Sequence, residues 1–332
     1  MCLLYTSHFG LCTSYPALLT PYSARQRIFN PVSQSKSSSS KAILALVLLA
    51  FIWGYNWVQM KIAVQYASPF TFAAIRNGLG GLVLLLVMIG LRKPLKPQAI
   101  AGSFWLGVLQ SSGVYGLANW ALVSGGAGKT AVLVYTMPFW VLLFAWFWLG
   151  ERIHKLQWMA IALSLTGFLF ILNPLHMTGT LLSTMLAVTA GISWGAGAIV
   201  AKKMQQTMTL DLLSLTTWQT LLGAIPLAIA ALIVPSEPIV WSPELIGALA
   251  YNVVPATAIA QFLWLYALTN LSAGTAGLGT LLNPALGVLF AWMQLGEVPT
   301  RSELIGMMLI FVALLMNALQ ALERSRLAAS QR

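Results

Sequence analysis

Between residues 42 and 321 the chain is a succession of apolar segments of about 20 residues, divided by short turns often marked by Gly or Pro. A helix of ~20 residues crosses the ~30 Å hydrocarbon layer of a bilayer. Only 8% of the residues are charged and 58% are hydrophobic, whereas a soluble domain carries ~25% charged residues. Such a chain has too little polar surface to cover a globular core in water. It is expected to be an all-α integral membrane protein.

Ten spans are expected, at about 42–63, 69–91, 98–122, 127–149, 155–173, 179–201, 211–234, 243–268, 273–295 and 302–321. An even count puts both termini on one side. With the N-terminus inside, the inner flanks hold 14 of the 18 Lys and Arg residues. The outer flanks hold Lys61, Arg76, Lys129 and Arg301. Basic residues accumulate on cytoplasmic loops, so both ends are expected in the cytoplasm.

Residues 1–41 differ from the rest, with four consecutive serines (Ser37 to Ser40), four bases and no acid. They read as a disordered basic tail, a transit peptide or an over-extended start; residues 322–332 read as a short cytoplasmic tail. Cys2 and Cys12 both lie in the N-terminal tail, and His8, His154 and His176 are scattered over tails and turns. No metal site and no cofactor is expected from them. The net charge of +11 flanks apolar spans and so points to a lipid bilayer, not to nucleic acid. Gly125-Gly126-Ala127-Gly128-Lys129-Thr130 resembles a phosphate loop, but Val123 stands where that motif needs glycine and no strand precedes it. ATP use is not expected.

The chain also repeats itself. Shifted by 146 positions, residues 121–151 match 267–297 at 12 of 31 places. Pro138 falls on Pro284, and Leu149-Gly150-Glu151 on Leu295-Gly296-Glu297. A shift of 141 puts Trp53-Gly54 on Trp194-Gly195 and Lys61 on Lys202. The repeat unit covers five spans, at 42–173 and 179–321. An odd number of crossings turns the second copy upside down, an architecture of secondary transporters with the substrate near the midplane.

Trp53-Gly54-Tyr55-Asn56 leading to Lys61, then Arg76, resembles the opening motif of EamA-type proteins of the drug/metabolite transporter superfamily. So do Pro138 with Leu149-Gly150-Glu151, and the second copy at Pro284 and Leu295-Gly296-Glu297. The resemblance covers about 280 residues, all but the N-terminal tail. It implies an exporter or exchanger of small metabolites, often amino acids, in a bacterial inner membrane. The second copy departs from the pattern: Gly197 stands opposite Asn56, and Thr217 or Trp218 opposite Arg76.

Polar and aromatic residues deep in the spans are the candidates for the substrate cavity: Trp53, Asn56, Gln110, Tyr115, Asn119, Tyr135, Trp194, Gln261, Trp264 and Asn283. Side chains of this kind at mid-depth face protein or water, not lipid. The competing role for each is helix packing or interhelical hydrogen bonding. Pro138 and Pro284 lie ~20 Å from the turns that follow them and are expected to kink their helices, either as bending points or as ordinary membrane prolines. Lys61 and Arg76 are placed at the outer mouth, where Arg76 either draws in a carboxylate or snorkels to the headgroups. Glu151 with Arg152, and Glu297 with Arg301, are expected to hold turns together. No acid lies mid-span, which gives no support to a proton relay. A multi-pass membrane enzyme or lipid-handling protein is the alternative, but it requires a nucleophile, metal cluster or carboxylate pair in the spans.

Overall fold

A computed structural model describes residues 36–172, 181–270 and 282–330. The described residues form helices and turns and contain no strand. In hydrocarbon each backbone N–H and C=O needs an internal partner, and the helix supplies one within its own segment. In order the helices are α1 (Lys36–Ala63), α2 (Pro69–Gly90), α3 (Ile100–Gly107) and α4 (Val114–Ser124). Next come α5 (Ala127–Val134), α6 (Met137–Leu149), α7 (Lys155–Leu172), α8 (Leu181–Thr207) and α9 (Leu212–Ile233). Last are α10 (Pro243–Val253), α11 (Ala260–Asn270), α12 (Leu282–Leu295) and α13 (Arg301–Ser330).

Among the described residues seven helical stretches are long and apolar enough to cross a bilayer. Two more apolar helices, Lys155–Ile171 and Leu282–Leu295, are shorter, and the expected ninth span lies partly outside the described residues, at 271–281. The third expected span is the polar stretch from Ile100 to Ser124. It runs as α3 and α4 joined by a π-helical turn, Val108–Gly113. A second π-turn, Val254–Ile259, joins α10 to α11. The two π-turns begin 146 positions apart, the offset of the sequence repeat. Three boundaries differ clearly from expectation, one of them the end of α8 at Thr207 instead of 201. The first helix starts at Lys36 instead of 42, and the last runs on to Ser330 through residues expected as tail. Ala, Leu, Glu and Arg after 320 are good helix formers and carry the helix beyond the apolar segment.

Packing follows the repeat. Helix α2 lies against α9, and α7 against α13. Four further contacts come in pairs: α1 with α12 and α8 with α6, then α1 with α11 and α8 with α4. Exchanging the first half of the chain for the second leaves this scheme unchanged.

The motifs that recur in sequence have recurring physical jobs. Gly150 and Gly296 both sit at φ +66, the left-handed conformation in which a Cβ costs about 1–2 kcal/mol. After each glycine the Glu N–H turns back to a carbonyl, Glu151 to Ala145 at 3.2 Å and Glu297 to Ala291 at 3.3 Å. Leu-Gly-Glu is thus a helix C-cap used twice. The Trp-Gly pairs serve close approach. A Cβ on Gly54 would lie 2.6 Å from Leu286 Cβ on α12, and one on Gly195 would lie 2.8 Å from Trp140 Cβ on α6.

Gly54→Val should therefore lower stability by about 1–3 kcal/mol through overpacking. Gly78→Val, on α2 with nothing within 4 Å of its added Cβ, should cost far less. Thermal unfolding of the two variants in detergent makes the comparison, and equal losses would show that close helix approach is not what Gly54 provides.

Candidate functional site: a buried polar cluster at the seam of the two halves

Asn56 and Met60 lie one turn apart on α1 and so share a face. The Asn56 amide nitrogen donates to the Met60 thioether at 3.1 Å, and its Oδ1 is buried without a partner. Arg76, two turns into α2, brings Nη1 to 3.7 Å from the same sulfur. Its guanidinium carbon sits 3.8 Å above the ring of Tyr115 on α4. Asn119, one turn beyond Tyr115, is fully buried and neither atom of its amide finds a partner. Tyr135, where α5 ends, accepts a 2.9 Å hydrogen bond from Asn283 Nδ2 on α12. The Tyr135 ring meets Trp57 edge-on, with 6.5 Å between centroids. Asn283 is 1% exposed and its Oδ1 is unpartnered. This cluster joins α1, α2, α4 and α5 to α12, one helix of the other half.

Five of the ten residues singled out from the sequence belong to it: Asn56, Tyr115, Asn119, Tyr135 and Asn283. The structure places the other five in contacts outside this cluster. Trp53 donates its indole N–H to the Ala256 carbonyl at 3.1 Å, and its ring lies against Trp264, centroids 6.2 Å apart. Both are packed at the α1–α11 contact. Gln110 fills the space beside Gly197, where an added Cβ would be 2.5 Å from Gln110 Cγ. Gln261 donates to Thr216 Oγ1 on α9 at 3.3 Å. Trp194 is half-buried on α8 and precedes the close-packed Gly195.

The two π-turns give these contacts their reason. A wider turn leaves carbonyls without the usual intrahelical donor. Trp53 takes up Ala256 O on one π-turn, and Ser193 takes up Leu109 O on the other at 2.8 Å. Residues at the Trp-Gly motif of each half therefore stitch the π-turn of the opposite half.

Pro138 does not bend a continuous helix. Helix α5 stops at Val134, two turn residues intervene, and Pro138 opens the first turn of α6, a position where its missing N–H costs nothing. The Leu133 carbonyl accepts both the Thr136 hydroxyl at 2.7 Å and the Thr136 N–H at 3.2 Å. Pro284 stands in the first turn of α12, directly after the undescribed residues 271–281.

At the expected outer mouth the arrangement also differs. Arg76 is 3% exposed and neither snorkels nor lines a mouth, because it turns inward onto Tyr115. Lys61 does lie near a helix end, donating to the carbonyls of Leu122 and Gly125 at 2.6 and 2.9 Å. Glu297 binds no Arg301. It accepts from the backbone N–H groups of Ala127 and Gly128 at 2.9 and 3.2 Å and so caps α5. Lys129 pairs with Glu303 at 3.1 Å, and Glu151 pairs with Lys202, not Arg152. A cavity of about 220 Å³ opens between the Gly125–Gly128 turn and the residues from Glu297 to Glu303. No group of acids, histidines or cysteines able to hold a metal ion is present among the described residues.

Sequence reasoning missed Met60, which both Asn56 and Arg76 approach. Its i+4 spacing from Asn56 was the available signal.

The helices and their apolar surfaces define an all-helical integral membrane protein. The chain belongs to the EamA-like transporter family, which it matches twice, over residues 40–173 and 181–319. It is 28% identical over 283 residues to the uncharacterized transporter YoaV of Bacillus subtilis (strain 168), covering 83% of this chain and 96% of that one. It is 26% identical over 291 residues to a probable amino-acid metabolite efflux pump of Escherichia coli (strain K12), covering 84% and 95%. The uncharacterized inner membrane transporter YedA of the same strain is 27% identical over 284 residues, covering 83% and 90%. A solved crystal structure matches the fold with a TM-score of 0.59 at 18% identity, over 85% of this chain and 97% of its own. The family is one of transporters and not of enzymes.

The Tyr135–Asn283 bond is open to a direct check. Tyr135→Phe leaves a buried amide unpaired and should cost about 1–3 kcal/mol, whereas Tyr135→Phe combined with Asn283→Leu should recover much of the loss. Thermal unfolding of both variants and of Asn283→Leu completes the cycle. Simple additivity would mean that the two side chains are not coupled.

Proposed function

We propose that the protein exports or exchanges amino acids or closely related small metabolites across a bacterial inner membrane by alternating access. On this reading ten membrane helices form two five-helix repeats of opposite orientation, residues 42–173 and 179–321, with both termini in the cytoplasm. The substrate occupies the seam between them, and the gates on either side open in turn.

One observation carries the reading. A membrane protein has no stability reason to bury Asn56, Arg76, Asn119 and Asn283 with polar atoms left over, since each such atom costs free energy in hydrocarbon. Groups left unsatisfied in the protein alone are suited to a polar guest. Their place beside the contact of α12 of one half with α1 and α5 of the other fits the expectation that inverted-repeat transporters hold substrate between the repeats. The pairwise exchange symmetry of the packing supports the repeat, and the relatives named as amino-acid metabolite efflux pumps support the substrate class. Asn56 and Arg76 have no counterpart in the second half, where Gly197 and Thr217 stand, so the first half supplies most of the contacts.

Flux of labelled amino acids into liposomes loaded with purified protein is the decisive measurement. Uptake above protein-free vesicles is expected for at least one member of a broad panel, and none across the panel would overturn the reading. The orientation has its own test. Cysteines placed at Ser124 and Ser236 should react with an impermeant thiol reagent on intact cells. Those at Gln98 and Ser325 should react only after permeabilisation, and the reverse pattern would invert the topology.

A further inference from the structure

Arg76 is a buried cation without an anion. Its guanidinium is charged at any physiological pH, it is 3% exposed, and its Nε has no partner. All seven acids of the chain lie among the described residues, and each is placed elsewhere. Asp211, Glu303 and Glu151 pair with Lys93, Lys129 and Lys202. Glu297 caps α5, and Glu237, Glu244 and Glu323 are exposed. The neighbours of Arg76 are the Met60 thioether and Tyr115. A ring face under a guanidinium returns only part of what its desolvation costs. A side chain kept only to pack on Tyr115 would be better as Met or Leu, which fill the same space without the charge.

The groups around Arg76 have complementary deficits. The guanidinium Nε is a donor without an acceptor, Asn56 Oδ1 is an acceptor without a donor, and neither atom of the Asn119 amide has a partner. Asn56 and Arg76 converge on one sulfur, and Asn119 lies one turn from the ring under the guanidinium. An α-amino acid presents the matching pair, a carboxylate for the donors and an ammonium for the acceptors.

Resting on the reading that amino acids are the cargo, we propose that Arg76 is the carboxylate-binding residue of the transport site. Asn56 and Asn119 receive the ammonium group. Cargo is thereby selected by its α-carboxylate, so amines and amides of the same side chain are rejected. Arg76 is kept at a cost to the empty protein, and the bound carboxylate relieves it.

Thermal unfolding of the purified full chain in detergent tests this without requiring flux. The probes are the L-amino acids, and for each that protects, the corresponding amide, amine and N-acetyl derivative. At least one amino acid should raise Tm, and its three derivatives should not. Arg76→Met without ligand should unfold at the wild-type temperature or about 2 °C or more above it, and should gain nothing from the amino acids. Arg76→Lys keeps the charge but loses the planar fork, and should bind about tenfold more weakly. The proposal is overturned if Arg76→Met fails to fold or melts well below wild type, because the arginine is then structural. It is equally overturned if no amino acid protects, or if amides protect as well as acids. Flux separates it from the transporter reading. Amides carried as fast as acids would remove the role of Arg76 and leave transport standing. Acids that protect but do not cross would leave the binding site standing and remove transport.

Discussion

A backbone carbonyl released from its helix inside hydrocarbon has no water to turn to, and the placement of side chains in this protein follows from that constraint. The chain breaks regular α-helix at Val108–Gly113, at Val254–Ile259 and at Tyr135–Thr136. At each break a donor is on hand. Ser193 and Trp53 serve the two π-turns, and Thr136 serves the Leu133 carbonyl beside Pro138. Ser112 adds a 2.6 Å bond to Gly223 O, tying the first π-turn to α9. Several of these donors come from the opposite half of the chain, so the irregular backbone that could form a polar interior exists only when the two halves are assembled.

This dependence explains which parts of the molecule were legible in the sequence. The Leu-Gly-Glu repeats were legible because a C-cap needs a glycine at one fixed place, and the sequence records that requirement at Gly150 and Gly296. The Trp-Gly pairs were legible as a repeat for a similar reason: the missing Cβ at Gly54 and Gly195 is itself the structural feature. The π-turns were not. The first contains no proline, and Gln110 looked like cavity lining because it was polar at depth. One of the ten chosen residues, Trp53, donates to a π-turn carbonyl. Polarity marks a side chain that needs a partner, and sequence alone does not say whether that partner is backbone, side chain or guest.

Arg76 shows the opposite failure. Counted along α2 from Pro69 it lies ~10 Å from the helix end, within reach of the headgroups for a long side chain, and the mouth was a reasonable place for it. Its rotamer is set by Tyr115 and Met60, which come from two other helices. No count along α2 reveals that. The charge is held inward by Tyr115, through its ring face and a side-chain hydrogen bond, and by the Met60 thioether.

The two halves share a scaffold but not a chemistry. Where the first presents Asn56, the second has Gly197, and that space is taken by Gln110 from the first half. Where the first presents Arg76, the second has Thr217, fully buried and bonded back to its own helix at Leu213 O. The second half contributes Asn283 to the polar cluster, through a hydrogen bond to Tyr135. That bond joins α12 to the point where α5 breaks before Pro138, so a shift of α12 past α5 has to strain or exchange it. A guest in the cluster adds polar groups beside the unpartnered Asn283 oxygen. On the proposed reading, occupancy of the seam and the relative position of the halves would be linked through this side-chain pair, as coupling a binding event to a change of access requires.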